Sequence, residues 1–174
     1  MSEPAREPTV PPGYGTLTPW IISPDSAALV RFLEAAFAAE EIPGSRMLNQ
    51  DGAIVHVEVK IGSSIVMLFD SYEGWPATPA FFRLYVGDAD AAHRQALAAG
   101  ASSVTGVTEL FWGDRVGRVR DPFGNIWWLQ SHAADVPEEE LQARMQDPAM
   151  LEAMRYVQQS LVDALRSRGD PGSS

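Results

Sequence analysis

Apolar and polar residues alternate along "AIVHVEVKI" (53–61), the period of a strand with two different faces. "SSIVMLFDS" follows the turn signal at Gly62 and reads as the next strand. Upstream, "TLTPWIIS" (16–23) is a strand candidate, after which the period changes. Leu29, Phe32, Leu33, Ala36 and Phe37 recur at i, i+3, i+4, i+7 and i+8, one face of an amphipathic helix that should pack on a sheet. Ser23 is its expected cap, with Pro24 at the first helical position. A further strand around "EIPGSRML" completes the order β-α-β-β-β.

The segment "YEGWPATPA" (72–80) is punctuated by Gly74, Pro76 and Pro79 and reads as a linker. After it the same order returns: strand "FFRLYVGD", helix "ADAAHRQALAAG" ended by Gly100, then strands "SSVTGVTEL", "RVGRVRD" and "NIWWLQSH". The modules repeat at a spacing of about 60 residues, with "IVML" (65–68) answering "IWWL" (126–129) and "HVE" (56–58) answering "RVR" (118–120). Residues 1–15, with Pro4, Pro8, Pro11 and Pro12 among polar residues, are expected to be an unordered tail, as are residues 170–174. Residues 134–169 read as a helical extension interrupted at Asp147 and Pro148, where Asp147 can cap a second helix. Its stripe of Leu151, Met154, Val157, Leu161 and Leu165 should pack on the body of the protein or on a partner subunit; a regulatory helix is the alternative.

"DPFGNIWWLQSH" (121–132) then raises a question. Neighbouring side chains on a strand point to opposite faces, so Trp127 and Trp128 must meet different surroundings, and the sheet is two-sided.

With 174 residues, 45% of them apolar, the chain can build one domain or two small, packed modules. A net charge of −10, from 13 basic and 23 acidic residues, works against nucleic acid and anionic membrane partners. Without cysteine there is no disulfide, thiolate metal site or cysteine nucleophile. "MSEPAREPTVPPGYG" has no apolar signal-peptide core, and no apolar run approaches the roughly 18 residues of a membrane span, so a cytoplasmic location is expected.

The paired β-α-β-β-β order, with its last strand after "DPFGN", resembles the vicinal oxygen chelate superfamily of glyoxalase I, extradiol dioxygenases, fosfomycin-resistance enzymes and bleomycin-resistance proteins. "FWGDRVGRVRDPFGNIWWLQSH" and "HVEVKIGSSIVML" are most similar to its bacterial PhnB-like branch. The resemblance covers residues 16–133. It implies an α+β fold of two paired βαβββ modules (16–71 and 81–133) forming a split barrel around a ligand site, here with a C-terminal helical extension, and it implies a homodimer.

Metal enzymes of that superfamily hold the ion with a His or Glu on the first and last strand of each module. Counted from local landmarks, those positions fall on Thr18, Met67, Phe81 and Trp128, none a competent ligand, so neither metal nor other cofactor is expected. Trp128 then faces the cavity and Trp127 lies under the helix. By the same alternation the cavity side carries Trp20 and Ile22 beside Thr18, Phe69 beside Met67, Arg83 and Tyr85 beside Phe81, and Gln130 beside Trp128. Such a pocket suits a small organic ligand of aromatic or cationic character; the alternative is that these side chains fill the half-barrels as core.

His56 and Glu58 share a strand face and can act as a general base with its orienting carboxylate, while Arg118 and Arg120 occupy the pseudo-symmetric positions as an anion-binding pair. A charge-paired structural ladder is the alternative. The "His-x-Glu" spacing of zinc deaminases lacks its cysteine ligands here. Trp112, Asp114 and Arg115 either line the pocket entrance or sit at a turn that Asp114 caps, His93 is expected on the surface, and His132 at solvent or the cavity mouth. No Gly-rich phosphate loop, Ser-His-Asp set or Walker sequence is present.

Three readings follow. The favoured one is a binder that sequesters an antibiotic or metabolite. The second is a lyase, isomerase or dioxygenase-like enzyme acting on a small carbonyl or epoxide through His56 and Glu58, or through a relocated metal. The third is a module whose C-terminal helices recruit a partner.

Overall fold

A computed structural model describes residues 10–167. The expected tails lie outside this range except for residues 10–15. The chain divides into two units, the first up to Glu34 and from Ala38 to Thr78, the second comprising Ala35–Phe37 and the chain from Pro79 onward.

The first unit contains β1 (Trp20–Ser23), α1 (Ser26–Phe37, its last residues falling in the second unit), β2 (Glu40–Glu41), β3 (Met47–Leu48), β4 (Ile54–Ile61) and β5 (Ser64–Asp70). Its strand order is β1-β5-β4-β2, with β3 also on β4. The parallel β1–β5 register sets Trp20 opposite Met67, and the antiparallel β4–β5 register sets Glu58 opposite the same Met67 and Val57 opposite Leu68. One face thus collects Ile21, Val57, Val59 and Leu68, all buried, and the other Trp20, Glu58, Met67 and Phe69.

Helix α1 starts later than its sequence suggests. Asp25, not Ser23, is the cap: its backbone is extended and its carboxylate accepts from Ala28 N at 2.7 Å, so Pro24 precedes the helix. Asp70 ties the helix start to the sheet, accepting from Ser26 N and Ile54 N, each at 2.7 Å. The strand expected around "EIPGSRML" is two short pieces, β2 and β3, because Pro43 and Gly44 interrupt it with a turn.

In the second unit, β6 (Phe81–Tyr85), α2 (Ala89–Ala98), β7 (Ser102–Glu109), β8 (Asp114–Arg120) and β9 (Ile126–His132) repeat the order, with strands arranged β6-β9-β8-β7. They are followed by α3 (Glu138–Gln146) and α4 (Pro148–Arg166), which is capped by Asp147. Among the described residues no helix is long and apolar enough to cross a membrane.

The "DPFGN" turn is built on one buried carboxylate. Asp121 Oδ1 accepts from the backbone N–H groups of Phe123 and Asn125, and Oδ2 from Asn125 Nδ2 and Trp127 Nε1, all at 2.8–2.9 Å. Burial raises its pKa against the pull of these donors. Gly124 supplies the turn's positive φ of 91°. The turn delivers Trp127, fully buried, onto the ring of Phe82 at 4.6 Å and that of Phe37 at 5.2 Å.

The α2 side of this sheet also holds His93, which is buried, 3.1 Å from Ser103 Oγ, with its pKa lowered by burial. This corrects the surface position expected for it: His93 lies on the buried face of α2 with Ala89 and Ala96.

Trp127→Ala is expected to cost about 3–5 kcal/mol of stability by leaving a core cavity. Asp121→Ala, which strands the buried Trp127 N–H, should cost about 1–3 kcal/mol. Urea denaturation of both variants checks the pair.

Candidate functional site

On the first unit, β1, β5 and the segment after β5 bring three aromatic rings together. Trp20 and Phe69 lie 4.7 Å apart between centroids, and Trp75 lies 6.4 Å from Trp20 and 5.9 Å from Phe69. Trp75 also stacks on Tyr72 at 5.7 Å, the two residues exchanging backbone hydrogen bonds across a tight turn. Trp20 is 55% exposed, so the cluster is open to solvent. Beside it is a cavity of about 340 Å³ lined by Phe69, Tyr72, Trp75, Ile54, Val55 and Asn49.

Phe69 links this cluster to polar groups on the same face. The His56 ring meets it edge-on at 5.5 Å, and His56 Nε2 lies 3.2 Å from Glu58 Oε1. The hydroxyl of Tyr14 donates to Glu58 Oε2 at 2.6 Å. That bond, then burial and the nearby carboxylate charge, raises the Tyr14 pKa, which keeps the phenol a donor. His56 and Glu58 are thus a hydrogen-bonded pair, completed by a tyrosine from the Pro-rich stretch read as tail. Thr18 is half-buried just ahead of β1.

The sequence reading missed Tyr14, Tyr72 and Trp75. A usable signal was the pair of aromatics flanking "EG" at residues 73–74.

On the second unit, Arg83, Trp128 and Arg118 stand side by side across β6, β9 and β8. The guanidinium carbons lie 4.6 Å (Arg83) and 4.1 Å (Arg118) from the indole centroid of Trp128, within cation–π range. This face is only partly open, because α4 lies over its β7 and β8 side while Arg83 on β6 stays exposed. Arg118 donates to Thr105 Oγ1 at 3.1 Å and to the Val157 carbonyl at 2.6 Å, and Arg120 to the Ala164 carbonyl at 2.5 Å. Gly106 N donates to the Tyr156 hydroxyl at 2.7 Å, and Thr105 and Ser160 share a 2.7 Å hydroxyl bond. Trp112 and Trp128 pack against Leu110, Val116 and Val157. Burial, and secondarily Arg83, pushes the Arg118 pKa down to about 10, still protonated at neutral pH. Phe81 and Tyr85 are exposed.

In "FWGDR", Asp114 is a collector of donors: it accepts from Trp112 Nε1 at 3.0 Å and from Gln130 Nε2, and pairs with His132 Nδ1 at 2.9 Å. Arg115 forms a two-bond ion pair with Asp90. His132 is exposed and also pairs with Asp135 at 3.0 Å.

The positions that the family resemblance assigns to metal ligands carry a hydroxyl (Thr18), a thioether (Met67), a phenyl ring (Phe81) and an indole (Trp128), a donor set that does not fit a hard divalent ion. Among the described residues no group of three or more His, Asp or Glu side chains is placed to hold one elsewhere.

The sequence profile of the Glyoxalase/Bleomycin resistance protein/Dioxygenase superfamily matches residues 16–129. The chain belongs to this superfamily. Two mycobacterial proteins are each 35% identical over 140 residues, 74% of this chain: the uncharacterized proteins Mb0911c of Mycobacterium bovis (91% of its length) and Rv0887c of Mycobacterium tuberculosis (81%). Among solved structures, TioX from Micromonospora sp. ML1 is similar, with a TM-score of 0.58, 25% identity, and 68% of this chain and 98% of that chain covered. A superfamily member from Burkholderia phytofirmans shares the fold, with a TM-score of 0.56, 17% identity, and 66% and 96% covered.

The pair of His132 and Asp114 should leave a mark on pH dependence. Hydrogen bonds to Asp114 and Asp135 raise the His132 pKa, so its contribution is full below the ordinary histidine range and lost as pH rises through the raised value. Burial works against Asp114, but its bonds to His132, Gln130 and Trp112 prevail and lower its pKa, so its contribution is lost as pH falls through that lowered value. Urea unfolding should therefore show His132→Ala differing more from the parent at pH 6 than at pH 9.

Proposed function

We propose that the protein is a small-molecule binder of the superfamily that sequesters an antibiotic or metabolite with a flat, positively charged aromatic body. The ligand lies against Trp20, Met67, Phe69 and Trp75, with Thr18 at the rim. The observation that carries this reading is the open cluster of Trp20, Phe69 and Trp75 beside the 340 Å³ cavity. Indole faces attract a cation, the Glu58 carboxylate stands on the same sheet face, and the chain's net charge of −10 draws cations toward it.

The reading extends to a cytoplasmic homodimer, supported by the exposed Phe81 and Tyr85 of β6, which a second copy would cover. Sedimentation velocity should find twice the chain mass, and a monomer at micromolar concentration overturns this part.

A second reading rests on the 3.2 Å contact between His56 and Glu58: an acid–base pair acting on a small carbonyl or epoxide. Fluorescence titration with proflavine, a planar cation, separates the two. A binder should take up one equivalent and release it unchanged, and Trp75→Ala should weaken binding by about 1 kcal/mol, roughly five-fold. Binding indifferent to Trp75 counts against the site. Consumption of a carbonyl or epoxide that His56→Ala abolishes while proflavine affinity persists would establish the enzyme instead.

A further inference from the structure

The face of the second sheet beneath α4 carries groups better suited to an anion than to a helix. Among the described residues nothing hydrogen-bonds Trp128 Nε1 or Gln130 Oε1, both buried. Arg118 is buried, yet its bonds go to a hydroxyl and a carbonyl, with no carboxylate among the described residues paired to its charge. Among the described residues Arg83 makes no ion pair either, although it stands over the same indole. An unbalanced buried cation and an orphan N–H are each unfavourable, and a surface whose sole role was to seat a helix would be apolar.

The cover is also loosely held. Of the 19 residues of α4, Val157 alone is buried, and Leu151, Val162 and Leu165 of the same helix remain exposed. Ala153 and Met154 pack partly buried beside Val157, and the remaining ties are single hydrogen bonds between α4 and Arg118, Arg120, Gly106 and Thr105. The superfamily match ends at residue 129, so α4 lies outside the matched residues.

From these observations we infer that α4 is a displaceable cover over a second ligand site, formed by Arg83, Arg118, Trp128 and Gln130, that takes an aromatic carboxylate. The carboxylate pairs with both arginines and accepts from Trp128 Nε1, its ring replaces the Val157 side chain, and a hydroxyl on that ring donates to Gln130 Oε1. This site takes ligands of charge opposite to those proposed for the first-module aromatic cluster.

Hydrogen exchange on the full chain with 6-hydroxy-2-naphthoate tests it. Saturation should speed exchange in residues 148–166 while slowing it in residues 114–120 and 126–132. Val157→Ala, which trims the one buried anchor of α4, should raise affinity about ten-fold by weakening competition from the helix. The double variant Tyr156→Phe/Ser160→Ala removes two tethers, should shift affinity the same way, and serves if Val157→Ala does not fold. The neutral 6-hydroxy-2-naphthamide should bind at least ten-fold more weakly, one lost charge-assisted bond being worth about that much. Unchanged exchange in residues 148–166, equal affinity for acid and amide, or slowing confined to residues 54–75 would each overturn the inference; the last would assign the acid to the first module.

Discussion

Successive side chains of a strand point to opposite faces, and on β9 that constraint commits Trp127 and Trp128 to different surroundings. Trp127 goes to the face where Phe82 and Phe37 seal it, and its indole N–H is held by Asp121 in the turn before the strand. A one-residue slip would exchange the two rings and put an unpaired N–H in the core, so the Asp121 turn sets the register of the sheet. Trp128 is then left on the other face between Arg83 and Arg118, where the sheet cannot be simple core. Its covering by α4 follows from Arg118 finding main-chain and hydroxyl oxygens there.

The first module obeys the same alternation with a different result. Val57, Val59 and Leu68 form its buried face, while Trp20, Glu58, Met67 and Phe69 line the other, and Trp20 stays largely exposed. The "HVE" and "RVR" positions show how a repeated scaffold diverges. In one module the face carries a histidine held by a carboxylate, in the other two arginines bonded to helix carbonyls. The shared fold accounts for the placement of these side chains, and their chemistry accounts for what each face can bind.

Much of the fold was legible because it is local. The spacing of Leu29, Leu33 and Ala36 marks α1 whatever it packs against, and the alternation in β4 marks its two faces. Errors came where two local signals competed. Ser23 and Asp25 are both good caps, and only the hydrogen bond to Ala28 N decides between them. His93 looked exposed among alanines and arginines, yet the helix turns it toward Ser103. The candidate site was half legible: Trp20, Met67, Phe69, His56 and Glu58 follow from strand parity, whereas Tyr14 and Trp75 come from segments without periodicity. Tyr14 reaches Glu58 across 44 positions, a closure that no local pattern encodes.

The amino-acid order by itself determined the two repeats and the parity of every long strand, since these depend on residue identity and backbone geometry alone. Tertiary structure decided which faces stay open. The stripe on α4 was visible from its period, but where the helix lies depends on contacts such as that between Arg118 and Val157, 39 positions apart, and long-range packing leaves no periodic trace in the chain.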